Sequence, residues 1–139
     1  MVRSILAVVA GVVVASLVIW LLELAAMMVY PPPPGLDFSD ASAVRAAMEK
    51  IPLGALICVL AAQTVGTFSG ACVAASISCS SQGVHALAVG AFVMLAGIGN
   101  MLMIPHPVWF WVISLLLYLP SAYFGGLLAS RRAASKKTA

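Results

Sequence analysis

The chain is expected to be an all-α, polytopic membrane protein with four transmembrane helices in an up-down bundle. Three observations lead there. Hydrophobic residues make up 63% of the 139 residues and charged residues only 8%, whereas soluble domains are roughly 45–50% apolar. Four apolar runs each reach the roughly 20 residues needed to cross a hydrocarbon core about 30 Å thick. The runs are separated by breakers: four prolines, a Ser-rich turn, and an Ile104-Pro105-His106-Pro107 corner. Residues 1–139 therefore read as a single transmembrane domain.

The first span is placed at 5–30. Arg3 gives it a positive start, but its apolar stretch exceeds the roughly 7–15 residues of a secretory signal core, so it reads as a retained helix. Pro31, Pro32, Pro33 and Pro34 must leave the helix as a stiff polyproline segment, and Gly35 frees the backbone to turn. An outer loop follows over 31–50. Within it Ser39 or Asp40 caps a short helix, where Val44, Ala47, Met48 and Ile51 recur at helical spacing, as in a helix lying at the membrane interface. Pro52 suits the first turn of a second span at 51–76. The third span is placed at 84–104 and the fourth at 108–130, followed by a basic tail over 131–139. Pro120 removes the hydrogen bond its N–H would make to Leu116, so a kink is expected there. Tyr30, Trp109 and Trp111 gather at one interface, where amphipathic rings favour the headgroup level.

Four spans put Arg3, Arg131, Arg132, Lys136 and Lys137 on one side. Arg45 and Lys50 fall on the other, beside Asp37, Asp40 and Glu49. Positive flanks collect in the cytoplasm, so both termini are expected there. The net charge of +3 reflects this orientation rather than a nucleic-acid surface, because the basic tail is short and carries no aromatics. The expected partner is the lipid bilayer, with the tail attracted to anionic headgroups.

Between helices in lipid, association relies on close packing of small residues. Cys58, Ala62, Gly66, Gly70, Ala74 and Ser78 follow at four-residue steps and make the second span the expected centre. Ala7, Gly11 and Ala15 form a shorter stripe, as do Ser121, Gly125 and Ala129. Gly66, Gly70, Ala74 and Gly125 are thus helix-packing residues. The stripes could face neighbouring helices or a second copy, so a homo-oligomer or larger membrane complex stays open. The frame from Gly66 to Ala74 also aligns with that from Ser121 to Ala129, and Ala7 and Gly11 align with Ala86 and Gly90. A parallel repeat of two helical hairpins would produce this pattern. So would the general abundance of small residues in membrane helices.

Glu23 is the one ionisable residue well inside a span, roughly 10 Å below the outer end of the first helix. A carboxylate at that depth is costly, and such residues are functional candidates by default. Asn100 and Ser114 fall at a similar depth, with Gln63 and Tyr118 nearer the midplane. Glu23, Gln63, Asn100, Ser114 and Tyr118 would together make a polar cluster opening outward, either an ion- or substrate-binding site or interhelical glue. His106, held between two prolines at the rim, would gate access by titration or cap the fourth helix. His85 lies about 30 Å from it, so no bis-His cofactor is expected. Cys58, Cys72 and Cys79 lack partners at metal-ligand spacing, which leaves neither a metal site nor a disulfide framework. With no phosphate loop, Gly-x-Ser-x-Gly elbow or His-Glu-x-x-His, neither an enzyme nor a cofactor is expected.

The run Gly97-x-Gly99-Asn100-x-x-x-Ile104-Pro105-His106-Pro107-x-Trp109-Phe110, with Gly35 to Asp40 after the prolines, resembles an uncharacterised family of small bacterial four-helix inner-membrane proteins. That resemblance implies a bacterial inner membrane and carries no activity over. The small multidrug transporters are an analogy only. They too have a carboxylate in the first of four helices, but Glu23 stands far toward the outer end and no matching Gly-rich motif occurs in the third helix. The leading expectation is a small structural or accessory subunit acting through its Gly and Ala stripes. A small oligomeric transporter or channel with Glu23 as a proton or cation site is the alternative, and membrane enzymology with Glu23 and His106 is a third. A transporter requires Glu23 to face a cavity shared with Gln63 and Asn100. A packing subunit requires those groups to satisfy one another.

Overall fold

The computed structural model describes residues 2–37, 39–78 and 81–138; Cys79 and the side chains of Lys136 and Lys137 fall outside that description. The described residues form five helices and no strand: α1 (Val2–Val29), α2 (Ala41–Met48), α3 (Leu53–Ile77), α4 (Gln82–Met103) and α5 (Val108–Thr138). All but α2 are long and apolar enough to cross a membrane. α1 stops where the prolines begin. α3 starts two positions later than expected, because Pro52 keeps an extended ψ of 144° and serves as the N-cap rather than as a first-turn residue. α5 runs on past Ser130, since no Gly or Pro follows Gly126 and Arg131, Arg132, Ala133 and Ala134 all favour helix. It also passes through Pro120 without ending. Pro120 is exposed, and the next hydroxyl, that of Ser121, donates to the Leu117 carbonyl at 2.6 Å.

The four long helices alternate in direction. One end of the bundle, the loop end, carries residues 30–52 and 104–107. The other, the terminal end, carries both termini and the turn after Ile77. α3 and α4 touch each other, and each also touches α1 and α5, which lie on opposite sides and do not meet. α3 is the most enclosed helix, buried at Leu56, Leu60, Ala62, Gly66, Gly70 and Ala74 among others. α1 is peripheral, buried only at Ala7, Gly11 and Ala15.

Those three residues meet the α3 stripe backbone to backbone. A Cβ on Gly11 would lie 2.7 Å from the Gly70 carbonyl oxygen and 2.8 Å from the Ala74 Cβ, and one on Gly66 would lie 2.9 Å from the Ala15 carbonyl oxygen. Gly125 of α5 sits as tightly on the other side of α3, over Phe68 and Ala71. The small-residue stripes are thus occupied within the chain. The two hairpins are not joined alike, however. Gly11 meets Gly70, but its counterpart Gly90 meets Tyr118 and Ala122 rather than Gly125. The contacting faces of α3 and α5 differ by one residue, a rotation of about 100°.

Both ends are tied. At the terminal end the Arg3 Nε donates to the Ile77 carbonyl at 3.0 Å, placing a cation where α3 leaves its last carbonyls unpaired. The His85 Nδ1 lies 3.0 Å from the Ser81 carbonyl and 3.1 Å from the Ser78 hydroxyl. At the loop end Tyr30 lies over Gly54, where any Cβ would strike its ring. Asp40 caps α2 by accepting from the Ser42 and Ala43 amides. Val44 is buried, and Met48 and Ile51 pack on Leu56, Leu60, Met101 and Phe110, so the apolar side of α2 turns toward the bundle.

Candidate functional site

Past Ala15 the small residues of α1 give way to Ile19, Trp20 and Glu23, and a cavity of about 290 Å³ opens between α1 and α4. Ser16, Trp20 and Glu23 line it from α1. They stand at i, i+4 and i+7, so they share one helical face. Gln63 of α3, Phe92 and Gly97 of α4, and Tyr118 of α5 complete the wall. At about 1.5 Å per residue, Glu23 lies roughly 9 Å below the loop end of α1, Gln63 and Tyr118 roughly 15 Å below the starts of their helices, and Ser16 roughly 20 Å down. The cavity thus occupies the loop-side half of the bundle. Its rim is aromatic, with Trp20 60% and Phe92 54% exposed.

The polar groups inside do not satisfy one another. Gln63 is 8% exposed and Tyr118 2%, yet the Gln63 Oε1 and the Tyr118 hydroxyl have no hydrogen-bond partner. Tyr118 is held against Gly97, where a Cβ would lie 2.8 Å from its Cζ. The half-buried Glu23 is close enough to Tyr118 to interact electrostatically, and no cation pairs with it among the described residues.

Three of the expected polar residues, Glu23, Gln63 and Tyr118, therefore meet at one cavity. The other three do not join them. Asn100 is exposed, one turn beyond Ala96 at the cavity's edge. Ser114 is buried one helical turn before Tyr118, off the cavity wall, and its hydroxyl is unpartnered. His106 belongs to the loop-end corner. Its Nδ1 lies 2.7 Å from the Ile104 carbonyl, so the neutral tautomer donates there, and its ring stacks on Phe110 at 4.7 Å. Burial holds its pKa below the usual 6.5, opposed by the Ile104 hydrogen bond, which favours the charged ring.

Thr67, fully buried one turn after Gln63 with its hydroxyl unpartnered, was not among the expected residues, and neither were Ser16 and Trp20. The i, i+4 spacing of Gln63 and Thr67, repeated by Ser114 and Tyr118, was the available signal. No group of His, Cys, Asp or Glu among the described residues could hold a metal ion. The cavity instead offers a carboxylate, two free oxygens and aromatic faces. That donor set suits a proton or a cation, since nothing on the wall supplies positive charge. No protein family, curated protein or solved structure matches the chain, and the geometry of this cavity is what bears on its function.

Proposed function

We propose that the chain is a small, non-enzymatic membrane transporter that takes up a proton or small cation in the cavity between α1 and α4. Glu23 is the charge partner, and Gln63 and Tyr118 supply neutral oxygens. One observation carries this reading: a carboxylate without a cationic partner shares a membrane-depth cavity with two buried, unpartnered oxygens. Unpaired polar groups in a hydrocarbon setting are rare and costly, and they mark ion pathways. The closed seam of Gly and Ala in the terminal half argues for a carrier rather than an open pore. The distribution of Lys and Arg supports cytoplasmic termini, with the cavity nearer the outer face; the bacterial inner membrane rests on the resemblance alone.

The test is flux in proteoliposomes, with an internal pH-sensitive dye for protons and a sodium-sensitive one for sodium. Glu23→Gln is expected to lower flux at least about tenfold, a loss of some 1.4 kcal/mol in transition-state stabilisation. Equal flux in both proteins would remove the proposal. An accessory role draws on a different feature: Asn100 is a polar amide on the exposed side of α4, and such groups join helices of separate chains. Cross-linking of Asn100→Cys to a second copy or to a co-purifying protein would support it.

A further inference from the structure

Hydroxyls in membrane helices have a default partner, the carbonyl one turn back. Thr64, Ser69, Ser76 and Ser121 take it, donating to Leu60, Val65, Cys72 and Leu117 at 2.7, 2.8, 2.7 and 2.6 Å. Thr67 and Ser114 do not, although they are 0% and 1% exposed. Each stands one turn from an unpartnered oxygen of the cavity: Thr67 follows Gln63 on α3, and Ser114 precedes Tyr118 on α5. α3 and α5 run parallel from the loop end and touch along their length. Helical rise therefore puts Ser114 about 9 Å deep, Tyr118 and Gln63 about 15 Å, and Thr67 about 21 Å. These are depths along the helix axes, and from its own level the Tyr118 ring reaches across to Gly97 of α4, so the four oxygens lie in the interior shared by α3, α4 and α5.

We infer that a file of bound water runs through the bundle interior between α3, α4 and α5, linking the oxygens of Ser114, Tyr118, Gln63 and Thr67 and open to the Glu23 cavity. The substrate of that cavity is then a proton or a small hydrated monovalent cation rather than a bulky organic solute. The substrate class rests on the transport reading above; the water file does not. Left dry, each of the four oxygens would keep the full cost of its lost hydration. Buried water removes that cost where it finds two to four polar partners, and at roughly 30 Å³ per molecule the cavity itself holds about ten.

The file is one-sided. Beyond Thr67 come Gly70, Ala71, Ala74 and Ala75, buried against Ala15, Ala86 and Ala122, and about 15 Å of helix remains to the terminal end. A cation at Thr67 has no way onward until the seam rearranges. Glu23 of α1 and Tyr118 of α5 are the titratable groups on the cavity wall, and the α3 and α4 residues there add none.

The experiment uses the full-length protein in liposomes with Cys58, Cys72 and Cys79 replaced by Ala, then Ser114→Cys or Thr67→Cys introduced singly. Silver ion, thiol-reactive and of alkali-cation size, is added on the loop side, and the surviving thiol is counted after denaturation. The control retains Cys72 alone, which packs with Ala71 and Ala122 in the seam. The thiols of the Ser114→Cys and Thr67→Cys proteins are expected to react at least about a hundredfold faster than that control. Rates equal to the control would overturn the file. Should Thr67→Cys fail to fold, the near-isosteric Thr67→Val read by flux replaces it: a loss of about tenfold is expected, and unchanged flux counts against the file. Parallel pH and sodium gradients distinguish the proton from sodium. Glu23-dependent flux of tetraphenylphosphonium without either would overturn the substrate class. Reactive thiols without Glu23-dependent flux would keep the file and remove transport; unreactive thiols with such flux would do the reverse.

Discussion

The two halves of α1 meet the bundle in opposite ways. Against α3 the helix presents Ala7, Gly11 and Ala15, and the backbones approach so closely that Gly11, Gly66 and Gly70 have no room for a Cβ. Beside α4, one face further round and nearer the loop end, the same helix presents Ser16, Trp20 and Glu23 to a cavity. The seam is apolar and full; the cleft is polar and its oxygens are unpartnered. In lipid the hydrophobic effect does not draw helices together, so contact area and hydrogen bonds must hold them. The seam supplies contact area. The cleft supplies little of either, which is affordable only because the seam fixes α1 in place.

The comparison breaks most readily at the seam. Gly70→Ala drives a methyl into the Gly11 carbonyl and the Ala15 Cβ and is expected to destabilise by about 1–3 kcal/mol, read as reversible unfolding in detergent. Gly99→Ala, with nothing within 4 Å, is expected to be neutral or to stabilise by less than about 1 kcal/mol; equal losses at the two sites would mean that the seam is not close-packed. Gln63→Leu probes the cleft in the opposite sense. It removes a buried, unpartnered carbonyl, so thermal stability should hold or rise by up to about 1 kcal/mol while cation flux falls. A Gln63→Leu protein that unfolds early would show that this amide is structural. Gly97→Ala sits between the two in effect. Its methyl meets the movable end of Tyr118 rather than backbone, so stability should change less than at Gly70 while flux changes more.

Smaller effects are expected at the loop end. His106 has a folded pKa depressed by burial, so its contribution to stability is present above about pH 6.5 and is lost as pH falls through the folded value. Thermal midpoints measured from pH 8 down to pH 5 should decline slightly in the native chain and decline less in His106→Gln. The smallest change belongs to α2. Asp40 is held below its usual range by the Ser42 hydroxyl and by the Ser42 and Ala43 amides, so the cap persists at neutral pH and is lost as pH drops below about 3.8. Asp40→Ala should raise amide exchange across 41–48 at pH 7 and leave the long helices untouched.

Much of the fold was legible because its signals are local. The prolines at 31–34, 105 and 107 fall where α1 and α4 stop, and the four-residue spacing from Cys58 to Ser78 marks the packed face of α3 directly. The site was legible only in part, and the reason is rotational. Depth follows from counting residues, which is how Glu23, Gln63 and Tyr118 came to be grouped, and the structure brings these three to one cavity. Which way a side chain points does not, because a helix apolar all round has no periodicity to mark its inner face. Asn100 has a suitable depth but sits on the exposed side of α4, while Ser114 is buried off the cavity wall. Thr67 was passed over because a hydroxyl in such a helix ordinarily bonds its own backbone, and only the assembled bundle shows that this one does not.

The three attachments of α1, Arg3 on the Ile77 carbonyl, Gly11 and Ala15 on α3, and Tyr30 over Gly54, make it a beam clamped at both ends and near its middle. A beam so held does not swing as a door does. Its compliance is confined to the reach between Ile19, which packs on Gly66 of α3, and Tyr30, about 16 Å long, which is the stretch that carries Trp20 and Glu23. Widening of the cavity is therefore a bowing of that reach, largest near its midpoint and vanishing at Tyr30, and spin labels placed along α1 would trace it as a single arch.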